Sequence, residues 1–191
     1  MIEIVPYRFH WSTEFQQIGA ELRKVLGHLA LRIDHIGSSS VPGLGAKDIV
    51  DVQVTVARLV PEAPLVDAFQ SGGYQVRDGI FEDHRSAGDE RPISDWQKRY
   101  CREPEGTRRS HIHVRSAGAA NQRYALLFRD FLRANRSAAA SYEQVKRQLA
   151  RQHSNDIDEY LAIKDPVCDL IMVAAESWAS ATSWKLGPSD A

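Results

Sequence analysis

The chain has 191 residues, with 24 Lys and Arg against 25 Asp and Glu, and a formal net charge of −1. Its length suits one domain with a real hydrophobic core, and 43% hydrophobic with 26% charged residues excludes wholesale disorder. The two signs balance within each third of the chain, which argues against nucleic acid as a partner and requires any anion site to be local.

The apolar spacing predicts a helix–strand–strand–helix–strands–helices order. In chain order these are a helix over 12–27, strands over 31–37 and 49–57, a helix over 61–71, strands over 74–78, 97–102 and 110–115, and helices over 119–134, 137–151 and 156–183. We expect Ser12 to cap the first helix, and the polar residues 82–95 to form a mobile loop.

This order predicts an α+β (mixed α/β) fold, with helices gathered on a mixed sheet. We expect a single domain over residues 1–191. Residues 1–118 would form the sheet-containing core, 119–184 the C-terminal helices, and 185–191 a frayed tail.

The strand over 49–57 shows the clearest alternation. Valines at positions 50, 52, 54 and 56 share one face, and Asp51, Gln53 and Thr55 share the other. A carboxylate in an otherwise apolar strand is costly to bury unpaired. Asp51 should therefore face a cleft, a cation or an arginine.

The loop before this strand is a candidate phosphate site. Gly37 lets the backbone turn at the end of a strand, and Ser38, Ser39 and Ser40 offer hydroxyls and N–H groups that can cradle phosphate oxygens. Lys47 adds one positive charge. The order is not that of a Walker P-loop, and a plain connection with a solvated lysine is the alternative.

Two further patterns could bind ligands. His111 and His113 point to the same side of a strand, where they could share a metal or flank an anion, or merely form cross-strand polar pairs. Arg129 and Arg133 share one helix face and could bind phosphate, although a solvated charged surface is the default interpretation of such a span.

Two Tyr-x-x-x-Lys pairs occur on the later helices. They are Tyr142 with Lys146 and Tyr160 with Lys164. We interpret them as amphipathic helix surfaces with snorkelling lysines.

Targeting and redox signals favour a cytoplasmic protein. The N-terminal residues lack the pattern of a signal peptide, and no stretch approaches the roughly 20 apolar residues that span a bilayer. Cys101 and Cys168 show no metal-ligand spacing, and we interpret them as reduced thiols.

Several motifs follow one another in a distinctive order: IVPY (4–7), RIDHIGSSSVPGL (32–44), KDIVD (47–51), HIHV (111–114) and FRDFLR (128–133). Together with the Tyr–Lys pairs they resemble the GrpB-like family, over nearly the whole chain to about residue 180. The resemblance implies the nucleotidyltransferase fold. It also implies a likeness to a domain that some bacteria attach to the dephospho-coenzyme A kinase, and hence a helper role as an alternative.

The implied site of that fold is a two-metal centre. Gly37 and Ser38 match a Gly-Ser pair that holds a triphosphate, and Asp51 matches the first carboxylate that binds Mg²⁺. Gln53 stands where a second carboxylate is expected, which weakens a Mg²⁺ pair. Asp51 with His111 or His113 would instead suit Mn²⁺, Zn²⁺ or another transition ion.

These observations leave three functional hypotheses. The first is metal-dependent nucleotidyl transfer from a nucleoside triphosphate (NTP) to a small acceptor, with Asp51 and His113 as the catalytic residues. Ser38, Ser39 and Lys47 would then bind phosphates, with Arg129 or Arg133 folded over them. The second is an inactive module that binds a nucleotide, a coenzyme A-like ligand or a protein, and the third is hydrolysis at an Asp-His-His metal site. We expect a small anionic ligand as the partner, and a homodimer is left open.

Overall fold

A computed structural model describes all 191 residues of the chain. The helices are α1 (His10–Leu26), α2 (Ala63–Ser71), α3 (Ala120–Ala134), α4 (Arg136–Gln152) and α5 (Ile157–Thr182). The strands are β1 (Ala30–Ile36), β2 (Val50–Val56), β3 (Gln75–Val76), β4 (Arg99–Arg102) and β5 (Ser110–Ser116). Each predicted helix and strand is present, which confirms an α+β fold with a helical last third.

The five strands form one mixed sheet in the order β1–β2–β5–β4–β3. β2 and β5 run parallel in its centre, and the other neighbours are antiparallel. The parallel register places Asp51 opposite His111 and Gln53 opposite His113. Two strands that are far apart in sequence therefore present polar side chains to the same face of the sheet.

The two faces of β2 have different neighbours. Its four valines are buried in a core that includes Trp11 and Phe15 of α1 and Phe69 of α2. On the opposite face, the Gln53 amide donates to the carbonyl of Gln122 in α3. The predicted separation of apolar and polar faces is confirmed, and the polar face lies under helices.

The C-terminal helices form a second core of their own. Residues of α3, α4 and α5, including Leu127, Tyr142 and Met172, pack together with Val41 and Leu44 from the loop after β1. That loop is thereby fixed between the sheet and the helical third. None of the helices combines the length and the apolar character that a membrane crossing requires.

One prediction about local structure is wrong. Helix α1 begins at His10 and has no side-chain cap, so Ser12 lies inside it. Residues 82–92 form an irregular loop, as predicted, before a short helical turn over Ile93–Trp96. The Asp83 carboxylate anchors the start of this loop through ion pairs with Lys98 at 2.6 Å and Arg115 at 2.7 Å.

The prediction of a frayed tail over 185–191 is also wrong. The Ala191 N–H donates to the carbonyl of Ile33, the Ile33 N–H donates to Ser189 Oγ, and the His35 N–H donates to the Asp190 carboxylate. Since β1 is an edge strand, its outer backbone groups are free to bind this segment.

Candidate functional site

A cavity of about 660 Å³ lies between the polar face of the sheet and the C-terminal helices. The sheet contributes Asp51, His111 and His113 to its wall, and α4 and α5 contribute residues that include Lys146 and Tyr160. We call this cavity the cleft. It is large enough for a small-molecule ligand.

Asp51, His111 and His113 form a cluster at the sheet side of the cleft, and we call it the metal-candidate triad. The Asp51 Oδ1 lies 3.3 Å from His111 Nδ1 and 3.9 Å from His113 Nε2. One ligand atom of each residue lies within 4.8 Å of the others. The prediction that these three side chains come together is thus met by the geometry, because β2 and β5 pair in parallel.

The protonation states of the triad suit metal binding. Burial raises the pKa of the Asp51 carboxyl, but the neighbouring His111 and His113 imidazoles outweigh it and hold that pKa far below its usual range. Burial lowers the pKa of His113 to about 4. At neutral pH, Asp51 is therefore ionised and His113 neutral, as metal ligation requires.

Gly37 brings the serine loop against the triad. Its φ of +67° lies in the region that favours glycine, and a Cβ at this position would lie 2.9 Å from the Asp51 Cβ. Only glycine therefore allows this close approach. As a result, Gly37 and Ser38 both line the cleft beside Asp51.

The remaining predicted phosphate ligands divide between the cleft and other places. Lys47 lines the cleft, with its Nζ 5.3 Å from the centre of the Tyr160 ring. Ser39 is buried and its hydroxyl lies 3.1 Å from His35 Nε2, away from the cleft wall. Ser39 is thus a structural residue of the loop.

The prediction that Arg129 and Arg133 bind phosphate in the cleft is wrong. The buried Arg129 guanidinium donates to the carbonyl of His35 and pairs with Asp190 at 2.6 Å. Arg133 donates to the carbonyl of Ser40 at 3.0 Å. Neither arginine lines the cleft. Arg129 instead joins the end of β1 to the C-terminal segment, and Arg133 binds the backbone of the serine loop.

Gln53 does not reach the cleft either. It is fully buried, and its Oε1 accepts a hydrogen bond of 2.5 Å from the Arg115 guanidinium. Arg115 also pairs with Asp83, which lines the cleft beyond it. The position of a second metal carboxylate is therefore occupied by an amide that is already bound on both sides.

Lys146 is the functional candidate that sequence reasoning missed. It is 3% exposed, and its Nζ donates to Ser38 Oγ at 2.8 Å and to the carbonyl of Gly45 at 2.6 Å. The sequence offers two signals for Lys146, its spacing with Tyr142 and its place in the family resemblance, but a solvated helix surface shows the same spacing. The snorkelling interpretation is wrong for Lys146, whose amine faces the serine loop.

The charges around the cleft favour an anionic ligand. Three of its basic side chains are paired with carboxylates: Lys98 and Arg115 with Asp83, and Lys164 with Asp165. Lys47 and Lys146 line the same cleft with no carboxylate within ion-pair distance. Their positive charge is therefore available to a ligand.

Fold and site together define a mixed α/β protein with a candidate metal and anion site in a cleft between sheet and helices. The chain belongs to the GrpB family, since the family model described as "GrpB protein" matches residues 1–173. The crystal structure of the conserved protein GrpB from Enterococcus faecalis superposes with a TM-score of 0.74 at 29% identity, covering 92% of this chain and 99% of that one.

Curated relatives include longer proteins. A dephospho-CoA kinase of Mycolicibacterium paratuberculosis is 33% identical over 96% of this chain and 48% of that protein. A UPF0157 protein of Streptomyces coelicolor is 40% identical over 87% of this chain and 80% of that protein. The chain thus spans about half the length of the kinases that it matches.

Proposed function

We propose that this protein binds an NTP and one divalent transition-metal ion in the cleft, and transfers a nucleotidyl group to a small-molecule acceptor. The observation that carries the proposal is the convergence of Asp51, His111 and His113 beside the turn at Gly37 and Ser38. This is the part of the fold where the family resemblance leads us to expect the triphosphate.

The donor set fits one transition ion better than two Mg²⁺ ions. Asp51 supplies a carboxylate, while His111 and His113 supply imidazoles, a combination that suits Mn²⁺, Zn²⁺ or a similar ion. Gln53, buried against Arg115, supplies no second carboxylate. A bound ion would act as a Lewis acid on phosphate oxygens.

The chain's own residues would bind and orient the nucleotide. Ser38 offers a hydroxyl to the phosphates, and Lys47 offers a positive charge that has no carboxylate within ion-pair distance. In the transfer, an acceptor oxygen forms a bond to the α-phosphorus and releases its proton to solvent, the bond from that phosphorus to the bridging oxygen breaks, and pyrophosphate leaves with the electron pair.

A second candidate function is an inactive binding module, and the burial of Gln53 favours it. A standard two-metal transferase needs a carboxylate ligand at this position, and this chain has a buried amide there instead. In the mycobacterial dephospho-CoA kinases a matching segment accounts for about half the protein. This coverage supports a helper that binds a coenzyme A-related nucleotide without transforming it.

Calorimetric titration tests the proposal. Mn²⁺ and each of the common NTPs are titrated into the wild type, into Asp51→Asn and into Asp67→Asn, an exposed control on α2. We expect binding by the wild type and the control. Asp51→Asn should bind Mn²⁺ at least about tenfold more weakly, since loss of even an outer-shell partner costs that much.

Pyrophosphate release then separates the two functions. Release by the wild type with an acceptor mixture supports the transferase, and NTP binding without release supports the module. Absence of any NTP binding at millimolar concentration would contradict both. Elemental analysis of the purified protein identifies the ion.

A further inference from the structure

Ser38 and Lys146 form a pair that the metal-candidate triad does not explain. The two functional atoms lie 2.8 Å apart, within the range for proton transfer between a nucleophile and its base. A third group orients the amine, because the Gly45 carbonyl accepts from Nζ at 2.6 Å. Nucleophile, base and orienting group are thus all present.

The surroundings of Lys146 favour its neutral form. No carboxylate lies within ion-pair distance, and the nearest, Glu143, is engaged by Arg147 at 2.7 Å and by the Gly45 N–H at 2.6 Å. The Tyr142 ring covers the amine, with its centre 4.7 Å from Nζ, a cation–π contact that favours the charged form. Burial outweighs this contact and lowers the pKa of the Lys146 ammonium to about 7, which leaves a large fraction of neutral amine at physiological pH.

Ser38 is placed to react with a bound ligand. It is half-buried and lines the cleft, one residue beyond the glycine that packs against Asp51. The short helical turn over Ser38–Ser40 and the hydrogen bond from Ser40 Oγ to the Gly37 carbonyl hold this segment in place. Its hydroxyl therefore lies next to the site proposed for phosphates.

We propose that Ser38 is a nucleophile with Lys146 as its general base, and that the protein forms a covalent nucleotidyl-serine from the bound NTP. This inference rests on the proposed function for the presence of NTP in the cleft. The Ser38 hydroxyl proton passes to the Lys146 amine as Oγ bonds to the α-phosphorus. The bond from that phosphorus to the bridging oxygen breaks, and pyrophosphate carries away the electron pair.

The acceptor completes the cycle by attack on the same phosphorus. Its oxygen forms the new bond and its proton leaves to solvent, the bond to Ser38 Oγ breaks, and the Lys146 ammonium returns a proton to the serine. The competing arrangement keeps Lys146 charged as a phosphate ligand and lets the acceptor attack NTP directly. Only the first arrangement links the nucleotide to the chain.

Isotope labelling distinguishes the two arrangements. The wild type is incubated with Mn²⁺ and with ATP, GTP, CTP or UTP labelled at the α- or γ-phosphate, then denatured, and the adduct is located by peptide mass spectrometry. We expect α-label on Ser38 and no γ-label. Ser38→Ala and Lys146→Met should lose at least about 100-fold of the labelling rate, the lower end of a general base's contribution.

Matched variants control for the effects of the substitutions themselves. Ser71→Ala and Lys24→Met change the same residue types at exposed positions and should label as the wild type does. Lys146→Arg keeps the charge but not the base, so full labelling by this variant would overturn the role of Lys146. Thermal unfolding checks that each variant folds, and Ser38→Ala removes only a hydroxyl, so it stays decisive if Lys146→Met does not fold.

The failure of this inference is distinguishable from that of the proposed function. Pyrophosphate release without an adduct, and at full rate in Ser38→Ala, would overturn the nucleotidyl-serine and leave the transferase standing. Label from the γ-phosphate would overturn it as well. If calorimetry shows no NTP binding, the proposed function falls, and the inference falls with it.

Discussion

At the residue scale, Gln53 decides between one metal ion and two. Both polar atoms of its amide are engaged, since Nε2 donates to the Gln122 carbonyl at 3.2 Å and Oε1 accepts from Arg115. A carboxylate placed here would pair with that guanidinium instead of turning to the cleft. If that carboxylate turned to the cleft instead, the buried Arg115 guanidinium would lose the hydrogen bond that residue 53 accepts, which is costly.

We therefore expect Gln53→Glu to fold and to gain no Mg²⁺ site. Calorimetric titration with Mg²⁺ and a pyrophosphate assay check this, with the exposed Gln70→Glu as the control. The expected result is Mg²⁺ binding within about twofold of the wild type in both variants. A new Mg²⁺-dependent activity in Gln53→Glu would contradict the one-ion site.

Residue chemistry also shows where sequence reasoning ends. A buried lysine and a solvated lysine look alike on an amphipathic helix, so Lys146 could not be singled out. Spacing along α3 predicted that Arg129 and Arg133 share a face, but not what that face contacts. Their partners, among them Asp190, come from segments far away in sequence.

At the element scale, the turn from β1 into the serine loop depends on Gly37. Two effects act there. The backbone, with φ of +67° and ψ of −172°, lies in a region that is essentially limited to glycine and costs another residue about 1–3 kcal/mol, and any Cβ collides with Asp51. Gly43 also has a positive φ, of +83°, but nothing lies within 4 Å of a Cβ there, so it serves as a control without the collision.

We expect Gly43→Ala to lower stability by about 1 kcal/mol and to leave Mn²⁺ affinity unchanged. Gly37→Ala should cost more stability and weaken Mn²⁺ binding about tenfold or more, since Asp51 must move. Chemical denaturation and Mn²⁺ titration of both variants measure the two effects. Equal Mn²⁺ affinities would show that Gly37 does not position Asp51.

The elements themselves were largely predictable, and their pairing was not. Period-two alternation fixed the faces of β2 and β5, so the directions of Asp51, His111 and His113 followed from the residues. The parallel register that joins them links residues 60 positions apart, and only the family resemblance pointed to it. Likewise, the polar composition of the tail could not show that it binds the open edge of β1.

At the scale of the whole molecule, the balanced charge of the sequence is divided unevenly in space. Five Lys and Arg side chains line the cleft against three carboxylates, and two of the five, Lys47 and Lys146, have no carboxylate within ion-pair distance. Positive charge is thus concentrated where a small ligand would enter, and no extended basic surface is needed. This arrangement supports a small anion as the ligand, as the overall balance suggested.

The stability of the whole fold should depend on pH through His35. Its ring is buried, stacks on Phe15 with centres 4.7 Å apart, and lies against the Ser39 hydroxyl. Burial lowers the pKa of His35 from 6.5 to about 3. Below pH 6.5 the unfolded chain therefore binds a proton that the folded chain refuses, and the free energy of unfolding falls as the pH falls toward 3.

Between pH 7 and pH 5 this single group should remove about 2 kcal/mol of stability, since each pH step below the unfolded pKa is worth about 1.4 kcal/mol. Urea denaturation of the wild type and of His35→Gln at both pH values measures it. We expect His35→Gln to be less stable than the wild type at pH 7, because it loses the stack on Phe15. Its free energy of unfolding should, however, fall by about 2 kcal/mol less than that of the wild type between pH 7 and pH 5. His28→Gln, an exposed control, should decline as the wild type does. Equal declines in all three proteins would show that His35 is protonated in the folded state, and hence that the junction of β1 with the serine loop admits a charge.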